Sequence, residues 1–384
     1  MTPDRRTLLA LFSLAFGLRV LFAAVFGSNP EIGPFIETYD FRTAEHMAQS
    51  AAWIGTPFSP NAPGYLMVLA AAFALAGASW WTAVIVNAVL GAVTVLFLYR
   101  IGEKRLGRYT GLAAALWLAV SVRHVSFASL AIRDVTTTFL FVWFIYTLAQ
   151  PFHRMRASVW QALLFTLLVH TEPMFLVLLP IVLIYVARWS THHRDLSARY
   201  FVMFVTALVV FNLPWTVRNY IVHRDFIPVS IEAHRYTAPL DRLLRAAPPV
   251  APVAEGTAVV QAPGFLHNTA EFWRVVRIAE APAQPEHGLP AQPAWSARHN
   301  AISVLNYGIL LPFAMTGVLI GWGRRQRVVL ILAGATLCWS LVAGYFGGGE
   351  QARLAVDPLI MLAAMYGAKE LWELRRAAGD HPGG

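Results

Sequence analysis

The chain has 384 residues, 57% of them hydrophobic and only 13% charged, with a mean hydropathy of +0.53. Soluble globular domains carry about 25% charged residues, so the composition excludes a soluble enzyme and describes a polytopic all-α membrane protein. The net charge of +9 implies no nucleic-acid partner, because much of it falls in short loops between apolar segments, where basic residues set orientation.

A membrane span needs roughly 20 apolar residues. Residues 7–27 form the first candidate; the segment is too long for a cleavable signal peptide and Arg19 interrupts it. Further spans are predicted at 80–101, 109–129, 134–150, 158–171, 173–189, 198–217, 301–322, 327–346 and 354–372. Segment 63–79 is apolar but short, and it opens on Pro63-Gly64. If it does not cross, every compact basic loop falls on the same side as Arg5 and Arg6: 103–108, 151–156, 188–199, 324–327 and Arg375-Arg376. The positive-inside rule then puts that side in the cytoplasm. The expectation is ten spans, both termini inside, and an interface-lying helix at 63–79. The bias of arginine over lysine, with only Lys104 and Lys369, suggests a GC-rich bacterium and hence its inner membrane.

Three stretches are then extracytoplasmic: 28–62, a turn near 123–134, and 218–300. The chain divides into a transmembrane catalytic module at 1–217 with its first outer loop at 28–79, an outer loop region at 218–300, and terminal spans at 301–384. In the first loop, Glu37 and Asp40 precede Ala44, Met47, Ala48, Ala51 and Ala52, the apolar positions of a helix lying along the membrane. Asp40 is a general-base candidate, although a carboxylate at a helix start is also an ordinary cap. Arg133-Asp134 sits at a second membrane boundary, where ionisable residues are functional candidates by default. Orientation puts Asp40 and Asp134 on the same side, available to one site. In 211–230, Pro214 is expected to kink or end a helix, and Arg218 and Arg224 to emerge with His223 at the surface, suited to phosphate. Glu350, Arg353 and Asp357 mark a late re-entry from the outside, where Arg353 could also snorkel to headgroups. An amphipathic surface helix is predicted around Phe265, Thr269, Phe272, Trp273 and Val276. Walker, HExxH and GxSxG motifs are missing from the sequence, so an ATP-driven pump or zinc protease finds no support.

In this order, YDFRTAEHMA, NAPGYLMVLAAAFALAG, IRDVTTTFL, PWTVRNYIVHRDFIPVS and EQARLAVDPLIMLAA resemble the C-type glycosyltransferase superfamily, in its protein-mannosyltransferase-like and lipopolysaccharide glycosyltransferase branch. The resemblance implies transfer of a sugar from a polyprenyl-phosphate donor to an acceptor on the outer face, usually with inversion. It gives Asp40 the role of general base and Asp134 that of the second acid. It gives Arg218 or Arg353 the departing lipid phosphate. Beside these, Glu37 is a further catalytic candidate, Arg133 and His223 are further phosphate candidates, and Glu172 and Glu350 are other site candidates. The resemblance fixes no cofactor; a divalent metal is compatible with it and, if present, would fall to Asp40 and Asp134. The partners implied are the lipid-linked sugar, membrane lipids and an acceptor. Two positions depart from the family pattern: Ala44, where an aromatic residue is common, and Glu172 in Thr171-Glu172-Pro173, where a basic one is. A catalytically degenerate scaffold and a lipid-linked-sugar flippase are the alternatives.

Overall fold

The computed structural model describes residues 5–27, 38–50, 62–150, 155–189, 194–224, 226–230, 265–275, 301, 303–346 and 352–379. Glu37 and Glu350 lie outside them, as do Ala51, Ala52, Val276 and most of 218–300. Among the described residues every regular element is helical. In chain order these are α1 (Arg5–Phe26), α2 (Tyr39–Ser50), α3 (Pro63–Ala76), α4 (Trp80–Arg105), α5 (Arg108–Val120), α6 (Val122–Phe127) and α7 (Asp134–Ala149). Then come α8 (Met155–Thr171), α9 (Leu179–Trp189), α10 (Arg194–His223), α11 (Phe265–Trp273), α12 (Leu310–Gly323), α13 (Arg327–Phe346) and α14 (Asp357–Gly379).

Among the described residues four stretches are long and apolar enough to cross a bilayer: Arg5–Phe26, Trp80–Arg105, Ala198–His223 and Arg327–Phe346. Shorter apolar helices accompany them at Pro63–Ala76, Asp134–Ala149, Pro173–Ala187 and Leu310–Gly323. The chain is a multi-pass membrane protein. Helix α3 has 14 residues, which at 1.5 Å per residue is about 21 Å, short of the roughly 30 Å hydrocarbon core.

Hydrocarbon gives helices no solvent-driven reason to associate, so close packing and buried polar bonds must hold them. Helix α4 is the hub, in contact with α1, α3, α5 and α7. It meets α5 where Gly102 lies against the backbone of Gly111, and a Cβ on either glycine would clash. Helices α12 and α14 cross in the same way at Gly317 and Gly367. Between α8 and α10 the bonds are polar: Ser158 Oγ donates to the Tyr200 carbonyl at 2.8 Å, and Tyr200 Oη to Gln161 Oε1 at 2.9 Å.

Three elements differ from the sequence expectation. The span expected at 109–129 is broken at Ser121, which is extended (φ −60°, ψ 113°) between α5 and α6. Pro214 does not end its helix; α10 runs through it to His223. Its neighbours supply side-chain bonds to the surrounding turns, Asn212 Nδ2 to the Leu208 carbonyl at 2.7 Å and Thr216 Oγ1 to the Asn212 carbonyl at 3.1 Å, the kind of repair that lets proline sit inside membrane helices. The helix expected at the membrane surface is present as α11, but its apolar face is spent on α13: Phe272 is fully buried and Asn268 Nδ2 donates to the Gly344 carbonyl at 3.0 Å.

Candidate functional site

The site is assembled from helix starts. Thr38 caps α2, its Oγ1 accepting from the Phe41 amide at 3.2 Å. The cap is therefore Thr38 and not Asp40, which lies one residue into the helix. The Thr38 hydroxyl also donates to the Ala131 carbonyl at 2.7 Å. That bond joins the start of α2 to the turn before α7 and draws Asp40 towards Asp134, the first residue of α7. The turn is fixed from the other side by α4, through Trp80 Nε1 to the Ser129 carbonyl (2.8 Å) and Asn87 Nδ2 to the Leu130 carbonyl (2.7 Å).

Behind the two acids lies Tyr65, 1% exposed. Burial pushes its phenol up and Asn87 opposes the shift, while the carboxylates of Asp40 and Asp134 both add to the rise. Asn87 is thus close, although neither Tyr65 Oη nor Asn87 Oδ1 makes a bond of good geometry. One phenol feels both acids, and the Thr38–Ala131 bond draws together the helix starts that carry them. Ala44 is fully buried in the cluster of Phe41, Met47, Tyr65, Leu66, Leu69 and Phe73 that joins α2 to α3. The Phe41–Phe73 pair, with ring centroids 4.9 Å apart, occupies this seam, and a larger residue at 44 would have to displace it.

Glu172 and Arg133 complete the patch. Arg133 Nε lies 3.1 Å from Glu172 Oε2, with side chains 26% and 14% exposed. The anion at 172 is thus matched by the cation beside Asp134. The start of α3 touches the same corner, since a Cβ on Gly64 would strike Thr171 and the His170 backbone.

The expected phosphate ligands are placed less simply. Arg218 does not emerge at the surface: it is 7% exposed, stacked over Trp215 at 4.9 Å and bonded to Asn219 Oδ1 at 2.9 Å. The reason is the segment after α10, which folds back so that Asn219 Nδ2 donates to the Ile227 and Val229 carbonyls (2.9 and 3.2 Å). Trp215 meets His170 edge-on at 6.2 Å, which ties Arg218 to the rim of the patch. His223 is half-buried at the end of α10, and Arg224 follows it with φ 56°.

Arg353 does not snorkel. It is 1% exposed, and its Nη1 donates to the Phe272 and Arg274 carbonyls at 3.1 and 2.9 Å. Its guanidinium lies 3.7 Å over the Tyr307 ring and its Nε 3.3 Å from Asp357 Oδ1. Asp357 Oδ2 is in turn 3.8 Å from His124 Nε2. Burial pushes His124 well below the usual histidine range, and Arg19 and Arg123 lower it further. His124 is therefore neutral at pH 7, and its contact with Asp357 is not an ion pair. Buried Arg19 donates to its own helix, Nη1 to the Ala15 carbonyl at 2.8 Å, and is accommodated by Gly91 on α4.

Sequence reasoning missed Thr38, Tyr65, Arg123 and His124. The Thr38 cap was recoverable from a threonine just ahead of an apolar period; His124 carried no signal. Among the described residues no group of three or more His, Cys, Asp or Glu side chains comes together. Asp40 and Asp134 offer hard oxygen donors, suited to a magnesium-like ion shared with a phosphate and not to zinc.

Residues 60–215 match the model of the dolichyl-phosphate-mannose-protein mannosyltransferase family. None of the curated proteins matches the chain. The fold is similar to the apo oligosaccharyltransferase of Archaeoglobus fulgidus, with TM-score 0.60 and 15% identity over 98% of this chain and 52% of that one. It is likewise similar to ArnT from Cupriavidus metallidurans bound to undecaprenyl phosphate, with TM-score 0.59 and 11% identity over 88% of this chain and 58% of that one. The oligosaccharyltransferase AglB of Archaeoglobus fulgidus, in complex with an inhibitory peptide and a dolichol-phosphate, matches at TM-score 0.51 and 14% identity over 99% of this chain and 52% of that one. The chain spans a little over half the length of each of these structures. The resemblance seen in the sequence is thereby borne out at the level of fold: the protein has the C-type glycosyltransferase fold, and the family match lies within it at residues 60–215.

Proposed function

We propose that this protein is a membrane glycosyltransferase that moves a sugar from a polyprenyl-phosphate donor to an extracytoplasmic acceptor in the cell envelope. The observation that supports the reading is the Thr38–Ala131 bond, which draws together the helix starts that carry Asp40 and Asp134, with Thr38 taking the capping duty. Asp40 accepts the proton of the acceptor hydroxyl as its oxygen bonds to the sugar's C1. The C1–O bond to phosphate breaks on the opposite face, its electron pair leaving with polyprenyl phosphate, so the anomeric centre inverts. Asp134 orients the acceptor. A divalent ion, if one is used, would be held by Asp40 and Asp134 and would neutralise phosphate charge. Arg218 and Arg133 are assigned to the departing phosphate, whose growing charge they would stabilise; His223, at the end of the helix that carries Arg218, is a further candidate. Arg353 acts on the site from behind, by holding the turn that packs on α7.

The orientation proposed is ten spans in a bacterial inner membrane, with both termini cytoplasmic. A transporter should place ionisable groups near the midplane on discontinuous helices in paired halves. Here Asp40, Asp134, Arg133 and Glu172 sit at helix ends on one side, which favours the enzyme over a flippase.

The test is transfer from a panel of radiolabelled polyprenyl-phosphate sugars into membranes containing the full chain. Asp40→Asn is expected to lower turnover by about 10²–10⁴-fold, the usual contribution of a general base. Turnover at the wild-type level in Asp40→Asn removes that assignment. No turnover by the wild type with any donor favours the non-catalytic scaffold. A reporter fused after Arg105 tests the orientation, and an extracytoplasmic signal there refutes it.

A further inference from the structure

A cavity of about 360 Å³ lies between α7, α8, α9, α13 and the turn 173–178. Its wall is apolar apart from the Tyr185 hydroxyl and the Cys338 thiol. Two of its rim residues, Ile181 and Ile184, are 48% and 60% exposed, so it opens sideways to the hydrocarbon. A Cβ on Gly334, which lines it, would meet nothing within 4 Å; this glycine faces open space and is not there for close helix contact.

The cavity has a closed end and a charged end. Towards the side of Asp134 it is sealed by Phe175 stacked on Trp339 (3.9 Å), with Phe141 against Phe175 (4.9 Å) and Trp339 Nε1 bonded to the Ala352 carbonyl (2.7 Å). At the other end Tyr185 Oη accepts from Arg327 Nη2 at 2.8 Å, and the guanidinium lies 5.8 Å from the ring centroid. Arg327 opens α13, and exposed Arg325 precedes it in the same basic turn.

We propose that this cavity holds one acyl chain of an anionic phospholipid from the leaflet away from Asp40 and Asp134, with its phosphate at Arg327. Apolar cavities of this kind stay dry, and one of about 150 Å³ admits benzene; on that scale the space takes roughly a dozen methylenes. A helix of a second copy, about 10 Å across with its side chains, is too wide. A polyprenyl-phosphate donor would have its phosphate at the wrong end, because the aromatic seal separates the cavity from the acidic patch. The basic turn selects an anionic headgroup. The site is independent of the transfer reaction and would persist in a chain with no enzymatic activity.

The experiment is native mass spectrometry of the full chain, stripped of lipid in detergent and titrated with phosphatidylglycerol, phosphatidylcholine or undecaprenyl phosphate. The wild type is expected to hold one phosphatidylglycerol with about fivefold preference over phosphatidylcholine, the effect of one arginine near an anionic headgroup. Arg327→Gln should erase that preference and keep the binding. Gly334→Phe should weaken phosphatidylglycerol by about tenfold, the loss of roughly two buried methylenes. A folded Gly334→Phe that binds as the wild type does, equal wild-type binding of the two phospholipids, or displacement of phosphatidylglycerol by undecaprenyl phosphate each overturn the proposal. Should Gly334→Phe fail to fold, alkylation of Cys338, the sequence's one cysteine, decides in the wild type. Phosphatidylglycerol should slow it several-fold relative to phosphatidylcholine, and an unchanged rate overturns the proposal.

Discussion

Asp40 and Asp357 are both aspartates in the first turn of a helix, and the two are built into opposite kinds of surroundings. Around Asp40 the capping is done by Thr38, and a buried phenol feels both its charge and that of a second carboxylate. Around Asp357 there is a fully buried guanidinium, held by two carbonyls and a tyrosine face, and a histidine kept neutral. The first arrangement leaves two half-buried acids at the edge of the bundle. The second seals one acid with its counter-ion where water does not reach. The difference separates chemistry from architecture among residues of one type at one kind of position.

The sharpest way to test the contrast is to remove one member from each side. Asp40→Asn is expected to cost activity and leave the unfolding midpoint in detergent where it was. Arg353→Met is expected to do the reverse first: it strands Asp357 in the interior, and breaking a buried pair costs about 3–5 kcal/mol. A stable, inactive Arg353→Met would place the arginine in the reaction and erase the distinction.

A smaller effect is expected at Arg133 and Glu172, which lie between the two extremes in burial. A double-mutant cycle with Arg133→Gln and Glu172→Gln should give a coupling of about 1 kcal/mol in stability. The charge-reversed Arg133→Glu/Glu172→Arg protein should recover most of the loss from either single reversal. No coupling would mean that Glu172 serves something other than Arg133.

A further effect is on pH. His124 has its folded value depressed by burial, so below about 6.5 the unfolded chain takes up a proton that the folded one does not. The histidine's contribution to stability is therefore full above that pH and declines as pH falls, by at most about 1.4 kcal/mol per pH unit. His124→Gln should flatten the fall in unfolding midpoint between pH 7 and pH 5, and identical slopes would show that His124 takes up its proton as readily in the fold as in the unfolded chain.

How much of this was legible in the sequence depends on range. Asp40 and Asp134 were brought to one side by counting basic loops, and helices α2 and α3 followed from local apolar spacing. Thr38 reaching Ala131 was not legible, because nothing local tells a cap that its hydroxyl has a second partner. Arg353 read as a surface cation because it borders a glycine run; its burial depends on two carbonyls of α11 and the segment after it, some 80 positions earlier. His124 was hidden inside an apparent span that Ser121 breaks. Ala44 and Glu172 looked like losses when set against a family pattern. In place, one fills a seam too tight for an aromatic ring and the other is matched by Arg133.

The bond from Thr38 to Ala131 joins positions 93 residues apart, two residues from one acid and three from the other. The register of the two acids is thus carried by a hydroxyl outside both of them. Chimeras that import the segment leading into α2 from a relative would keep that register only where a hydroxyl at position 38 comes with it. Segment exchange would therefore fail or succeed at a residue that touches neither substrate.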